Sequence, residues 1–118
     1  QPIPFRTGQI GLVTAYDFLE HVPRWERNGV NVRFPFIDLM NEIGRVLSPG
    51  GLFYSSTPSY PMIEAFQDPT HVNFIVPETF TKYFAGPRWA SIYGFESNFK
   101  VEKLFLRGAY VHALLRKQ

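Results

Sequence analysis

The stretch PFIDLMNEIGRVLSPGGLFYSSTP, residues 35–58, decides the fold because it contains a helix, a turn and a strand in direct succession. Apolar side chains recur every three or four residues in its first half, which predicts an amphipathic helix over residues 35–47. Pro35 suits the first turn of that helix, where a backbone N–H would have no partner. The SPGG segment ends the helix with a left-handed glycine cap, and residues 51–58 predict a strand.

A second strand is predicted upstream of this helix. The run QIGLVTAY, residues 9–16, is short and apolar with a β-branched centre, which is typical of a strand buried on both faces in a parallel sheet. Residues 17–34 are polar and carry breakers, so they predict a loop with room for one helical turn. Strand, helix and strand form a βαβ unit, and we expect Leu12–Tyr16 and Leu52–Ser56 to run parallel.

The remainder of the chain predicts a long loop, a short helix and a hairpin. Residues 59–76 are irregular, and loops of this length tend to be functional. Residues 77–84 begin with Pro and Glu and predict a short helix. Residues 99–106 and 109–117 alternate as strands do, and the Arg107-Gly108 pair between them is typical of a hairpin.

Composition narrows the class of protein. The chain has 118 residues, 45% of them hydrophobic and 17% aromatic, which favours one folded domain over disorder. The net charge is +2 with scattered basic residues, so we expect no nucleic-acid partner. No apolar run approaches the roughly 18 residues of a membrane span, so we expect no membrane partner. The absence of cysteine fits a reducing compartment, and we expect a cytoplasmic protein. Because the chain begins with Gln1, we expect a piece of a longer protein.

Three motifs carry a resemblance to a known family. They are LVTAYDFLEHVP, then NEIGRVLSPGGLFYSSTP, then DPTHVNFIVPETFTKYF. In this order and spacing the chain, from about Gln9 onward, resembles the C-terminal half of class I S-adenosylmethionine-dependent methyltransferases. The resemblance implies an α/β fold: part of a doubly wound, mostly parallel, Rossmann-like sheet that ends in an antiparallel hairpin. Residues 1–118 would then form a single, partial methyltransferase domain.

The resemblance implies an enzyme that transfers a methyl group from S-adenosylmethionine to oxygen or nitrogen of a small molecule. The glycine-rich turn that holds the cofactor in this family is absent from the chain. We therefore expect the isolated chain to be inactive and to bind the cofactor weakly or not at all. A missing half would leave a sheet edge exposed, through which a homodimer could form. The alternative is a non-catalytic interaction module with a degenerate methyltransferase fold.

The DFLEH segment, residues 17–21, follows the first strand and leaves three interpretations open. It could be a structural strand end, a site where His21 acts as a base, or a divalent-cation site formed by Asp17, Glu20 and His21. We predict that none of these residues binds a metal ion. The cation site stays an alternative. By resemblance, Ala15, Tyr16, Asp17 and His21 bind the cofactor, and Asp17 and His21 take part in catalysis.

The DPTH segment, residues 68–71, is the second candidate. Its first three residues predict an Asx turn that could simply hold His71 in place. In the functional interpretation His71 lies over the acceptor and removes a hydroxyl proton, because histidine is readily poised for proton transfer near neutral pH. Tyr60, Asp68 and His71 are then the predicted substrate-binding residues.

Overall fold

The computed structural model describes residues 2–118. Its main element is a four-stranded mixed sheet in the order β1-β4-β6-β5, and a separate two-stranded antiparallel ribbon pairs β2 with β3. The strands are, in chain order, β1 (Ile10–Tyr16), β2 (Glu26–Asn28), β3 (Asn31–Arg33), β4 (Leu47–Pro58), β5 (Phe99–Arg107) and β6 (Tyr110–Lys117). The α-helix, α1, spans Pro35–Val46, and a π-helix spans Thr79–Phe84. Short 3-10 turns lie at Leu19–His21, Ile63–Ala65 and Trp89–Tyr93.

The predicted fold class is wrong. Only one pair of neighbouring strands, β1–β4, is parallel, whereas the pairs β4–β6 and β5–β6 are antiparallel, so the sheet is mixed rather than mostly parallel. A doubly wound sheet also needs helices on both faces. In β4 and β6 the residues alternate strictly between fully buried and half-buried from Leu52 to Thr57 and from Tyr110 to Leu115. Packing therefore covers one face of the described sheet much more completely than the other.

The βαβ unit and the hairpin are confirmed. Val13 lies opposite Phe53 and Tyr16 opposite Ser56 in a parallel register, with α1 between the two strands in sequence. The hairpin of β5 and β6 turns at Gly108, which has a φ of 59°. The short ribbon β2–β3 lies where the sequence predicts a loop.

The core forms where the apolar stripe of α1 meets the covered face of the sheet. Met40, Ile43 and Val46 on the helix belong with Phe53 and the alternate residues of β6 to the buried interior. Gly44 allows the helix to approach the segment before β5, because a Cβ atom there would lie 2.1 Å from Ser97 Oγ. The helix ends at Leu47, which is extended, and not at the predicted glycine cap.

Among residues 2–118, every helix is too short or too polar to serve as a membrane span.

Candidate functional site

The carboxyl ends of β1 and β4 lie at the same edge of the sheet, because the two strands are parallel. β6 runs the other way, so its first residue, Tyr110, lies opposite Pro58 at that edge. The chain leaves β1 through Asp17, which has a left-handed φ of 51° and whose N–H donates to Ser56 O at 2.9 Å. A 3-10 turn follows immediately and carries Glu20 and His21. This edge is therefore where parallel sheets present side chains to ligands.

A cavity of about 260 Å³ opens at this edge. Its lining contains four carboxylates, two imidazoles and a phenol: Asp17, Glu20, Glu64, Asp68, His21, His71 and Tyr110. No lysine or arginine is among the described residues that line it. The cavity thus carries negative charge in a chain whose net charge is +2, and it should attract cations.

The loop of residues 59–76 brings His71 to Glu20. The N–H groups of Val72 and Asn73 both donate to Glu20 O, at 2.8 and 3.3 Å. The Asn73 side chain donates to Leu19 O and Val22 O, so it clamps the turn on either side of Glu20. Two segments that are far apart in sequence are consequently held together through backbone atoms.

Glu20 is the most buried charged residue of the site, with 2% of its surface exposed. One carboxylate oxygen, Oε1, accepts a hydrogen bond from Thr57 Oγ1 at 2.7 Å. The other, Oε2, has no hydrogen-bond partner among residues 2–118. A buried carboxylate oxygen without a partner is costly, so its retention calls for a physical reason.

Hydrogen bonds determine which ring nitrogen of each histidine carries the proton. Thr70 Oγ1 donates to Asp68 Oδ1 at 2.7 Å, so that hydroxyl can only accept from His21 Nδ1, 2.9 Å away. His71 Nδ1 lies 3.2 Å from the carbonyl of Ala65, which can only accept. Each ring therefore carries a proton on Nδ1, and in the neutral form of each ring Nε2 is the nitrogen with the free lone pair.

The structure brings together four of the predicted site residues, Asp17, His21, Asp68 and His71, around the cavity. The predicted Asx turn is present, since Thr70 N donates to Asp68 Oδ1 at 2.8 Å. That hydrogen bond, together with the one from the Thr70 hydroxyl, lowers the pKa of Asp68.

The other predicted residues lie outside the cavity lining. Ala15 is buried in the core, and Tyr16 is exposed with its ring against Tyr54, the two centroids 5.7 Å apart. Tyr60 packs against Phe66 and Phe74. Their roles in ligand binding stay predictions.

Sequence reasoning missed Glu64 and Tyr110 in the lining and the Thr57–Glu20 hydrogen bond. Tyr110 could have been found from the hairpin, had the pairing of its second strand with β4 been considered. No local signal marks Glu64.

A larger cleft of about 530 Å³ is lined mainly by aromatic side chains. Arg24 is its only charged lining residue and lies over the Phe74 ring, 5.6 Å from the centroid. Since no carboxylate or imidazole lines it, this cleft offers apolar burial and no acid–base chemistry.

Tyr110 provides a prediction about pH. A hydrogen bond to Asp17, aided by burial, raises the pKa of Tyr110 to about 12. The folded state thus favours the neutral phenol, whose ordinary pKa is about 10. The resulting stabilisation is complete below pH ~10 and is lost as the pH rises through about 12.

We expect absorbance titration of tyrosinate to show one late step near pH 12 that is missing from Tyr110→Phe and comes earlier in Asp17→Asn. A late step that persists in Tyr110→Phe would assign the shifted phenol to another tyrosine.

No family model matches the chain, and no curated protein matches it significantly.

Proposed function

We propose that the chain takes part in methyl transfer from S-adenosylmethionine to an oxygen or nitrogen of a small molecule. The observation that carries this proposal is His71, a lining residue of the carboxylate-rich cavity at the carboxyl ends of β1 and β4, whose Nδ1 is held by Ala65 O. The proposal also draws on the motifs LEHVP, RVLSPGG and DPTH, which resemble those of class I methyltransferases.

The residues fit the cationic end of this cofactor. When bound, the cofactor supplies a methyl group on a positively charged sulfur. The carboxylates of the cavity would attract that charge, and exposed Tyr16 offers an aromatic face beside it. At about 260 Å³ the cavity is smaller than most small-molecule sites, so most of the cofactor must be held by residues outside this chain. Ala15, Asp17 and His21 would contact only its methionine end.

His71 is the proposed base. While the acceptor oxygen or nitrogen forms its bond to the methyl carbon and the methyl–sulfur bond breaks, releasing S-adenosylhomocysteine, the acceptor's proton would pass to His71 Nε2. The Nδ1–H bond to Ala65 O keeps that nitrogen aimed at the cavity. Asp68, whose Oδ2 lies 3.7 Å from Nε2, would stabilise the imidazolium that results, and Tyr60 would contact the acceptor.

The test measures S-adenosylhomocysteine binding by calorimetry and methyl transfer to a panel of phenols, sugars and amines. We expect binding to the product of the whole gene, and weak or no binding to the 118-residue chain. In the gene product, His71→Ala should lower the methylation rate at least about 100-fold while cofactor affinity changes little.

His112→Ala is the matched control, because His112 lies on β6, outside the cavity lining, with its ring stacked on Phe105. Equal losses of rate and affinity in His71→Ala would exclude the base role. No binding of S-adenosylhomocysteine by the gene product would overturn the proposal.

That last outcome would favour the second candidate, a non-catalytic interaction module. The observation behind it is the edge strand β1, where Leu12 and Tyr16 are 55% and 64% exposed. An unpaired, apolar edge is suited to pairing with another strand, and the proposed partner is a second copy of this chain. A cytoplasmic location and the expected lack of nucleic-acid and membrane partners stay predictions.

A further inference from the structure

The side chains of Glu20, His21 and His71 lie close together at the cavity, and Glu20 Oε2 has no hydrogen-bond partner among residues 2–118. One ligand atom from each of Glu20, His21 and His71 lies within 4.8 Å of the ligand atoms of the other two residues. Glu20 Oε2 is 3.9 Å from His71 Nε2, which is too far for a hydrogen bond. In the neutral form of His71 the proton is on Nδ1, so Nε2 has none to share with Glu20 Oε2.

We infer that Glu20, His21 and His71 bind one divalent transition-metal ion. Two imidazole nitrogens and one carboxylate oxygen are a donor set for Zn²⁺, Fe²⁺, Co²⁺ or Ni²⁺ rather than for Mg²⁺, which prefers oxygen ligands alone. An ion at this position would be bound by one donor atom from each of the three residues. It would also give buried Glu20 Oε2 the partner that the described protein lacks.

The surroundings of the three residues are those of a metal site. Metal-binding histidines usually donate their second ring N–H to a carbonyl or a carboxylate network, which orients the ring. His71 donates to Ala65 O, and His21 donates through the Thr70 hydroxyl to Asp68. Thr57 likewise orients the Glu20 carboxylate. Each of the three proposed ligands therefore has an orienting partner on the side away from the ion.

The set differs from the cation site considered from the sequence, which contained Asp17. Asp17 lies outside the set, and its carboxylate acts on Tyr110, whose pKa it raises. His71 takes its place, and a set with two nitrogen ligands suits Zn²⁺ and the later transition metals better than Mg²⁺.

The ion and the proposed base role use the same nitrogen of His71. In the metal-bound protein His71 cannot accept a proton, and the ion itself would acidify a bound hydroxyl group. Metal binding is measured without cofactor or acceptor. A failure of methyl transfer would therefore leave this inference standing, and a failure of metal binding would leave the proposed function standing.

The experiment titrates Zn²⁺ into the metal-free 118-residue chain, made without a histidine tag, and records heat and melting temperature. Co²⁺ is titrated in parallel because its visible spectrum reports nitrogen ligation. We expect one ion per chain, a raised melting temperature, and much weaker binding of Mg²⁺. Glu20→Gln, His21→Asn and His71→Asn should each weaken Zn²⁺ binding more than about 100-fold, and Thr70→Val about 10-fold.

His112→Asn is the control for adventitious histidine ligation, and Glu64→Gln is the control for a cavity carboxylate outside the set. Both should bind Zn²⁺ as the parent chain does. Glu20→Gln keeps the size of the side chain, and circular dichroism will show that each variant is folded. No Zn²⁺ binding to the parent, unchanged affinity in Glu20→Gln or His71→Asn, or loss of binding in His112→Asn would overturn the inference.

Discussion

Replacing Phe53 by alanine is expected to lower the free energy of unfolding by about 4 kcal/mol, the usual cost of removing a buried aromatic ring. Phe53 is fully buried in β4, the strand that pairs with both β1 and β6. The truncation therefore removes contacts to two strands and to the helix stripe, and leaves a cavity between them. Few domains of this size have stability to spare for such a loss.

Urea denaturation followed by circular dichroism measures the effect. Leu106→Ala is the matched control, because Leu106 lies on β5 and is 54% exposed. It should change the free energy of unfolding by less than about 0.5 kcal/mol. A loss below about 1.5 kcal/mol in Phe53→Ala would show that the interior is less tightly packed than described.

The second large effect concerns the hydrogen bond beneath the site. Thr57→Val keeps the shape of the side chain but removes the only hydrogen bond to the Glu20 carboxylate among residues 2–118. We expect a loss of about 2–3 kcal/mol, because the carboxylate then stays buried with neither oxygen satisfied. Adding Glu20→Leu to Thr57→Val should recover most of that loss, since both polar partners are then gone.

Ser55→Ala is the matched control on the same strand and the same buried face. The Ser55 hydroxyl is buried without a partner, so its removal should leave stability unchanged or slightly raise it. The parent chain, Thr57→Val, Glu20→Leu and the double variant form a cycle, which is measured together with Ser55→Ala by denaturation at neutral pH. If Thr57→Val costs no more than Ser55→Ala, the Thr57–Glu20 hydrogen bond contributes nothing to folding.

Local sequence patterns were sufficient to predict the helix that buries one apolar stripe and the strands that bury one face. Helix α1 matches its apolar spacing to within one residue, and the hairpin follows from alternation around Gly108. The ribbon β2–β3 was not predicted. All of its residues are exposed and most are polar, so neither strand has the alternation that a buried face produces.

The fold class failed for a different reason. The parallel βαβ unit was a correct inference from residues 9–58, but its extension to a doubly wound sheet depended on resemblance alone. What contradicts it is the antiparallel pairing of β6 with β4, which leaves a single parallel pair in the described sheet, and the less complete covering of one sheet face. Neither property follows from the period of a single strand, because pairing order is decided between distant segments.

The site was predictable residue by residue but not as a set. The sequence suggested His21 and His71 separately, each within its own motif. Their meeting depends on the path of residues 59–76, which contains one 3-10 turn and is otherwise irregular. Backbone N–H groups of that loop donate to a backbone carbonyl of the other segment. Every residue has these backbone groups, so the sequence does not indicate which of them will pair.

Those two bonds, from Val72 and Asn73 to Glu20 O, also determine when the site becomes ordered. They join the segments that carry Glu20 and His71 as soon as the chain folds, so the loss of backbone freedom is incurred at folding and not at ligand capture. A ligand that enters the cavity therefore meets a backbone that is already in place, and only the side chains of the site have torsions left to adjust.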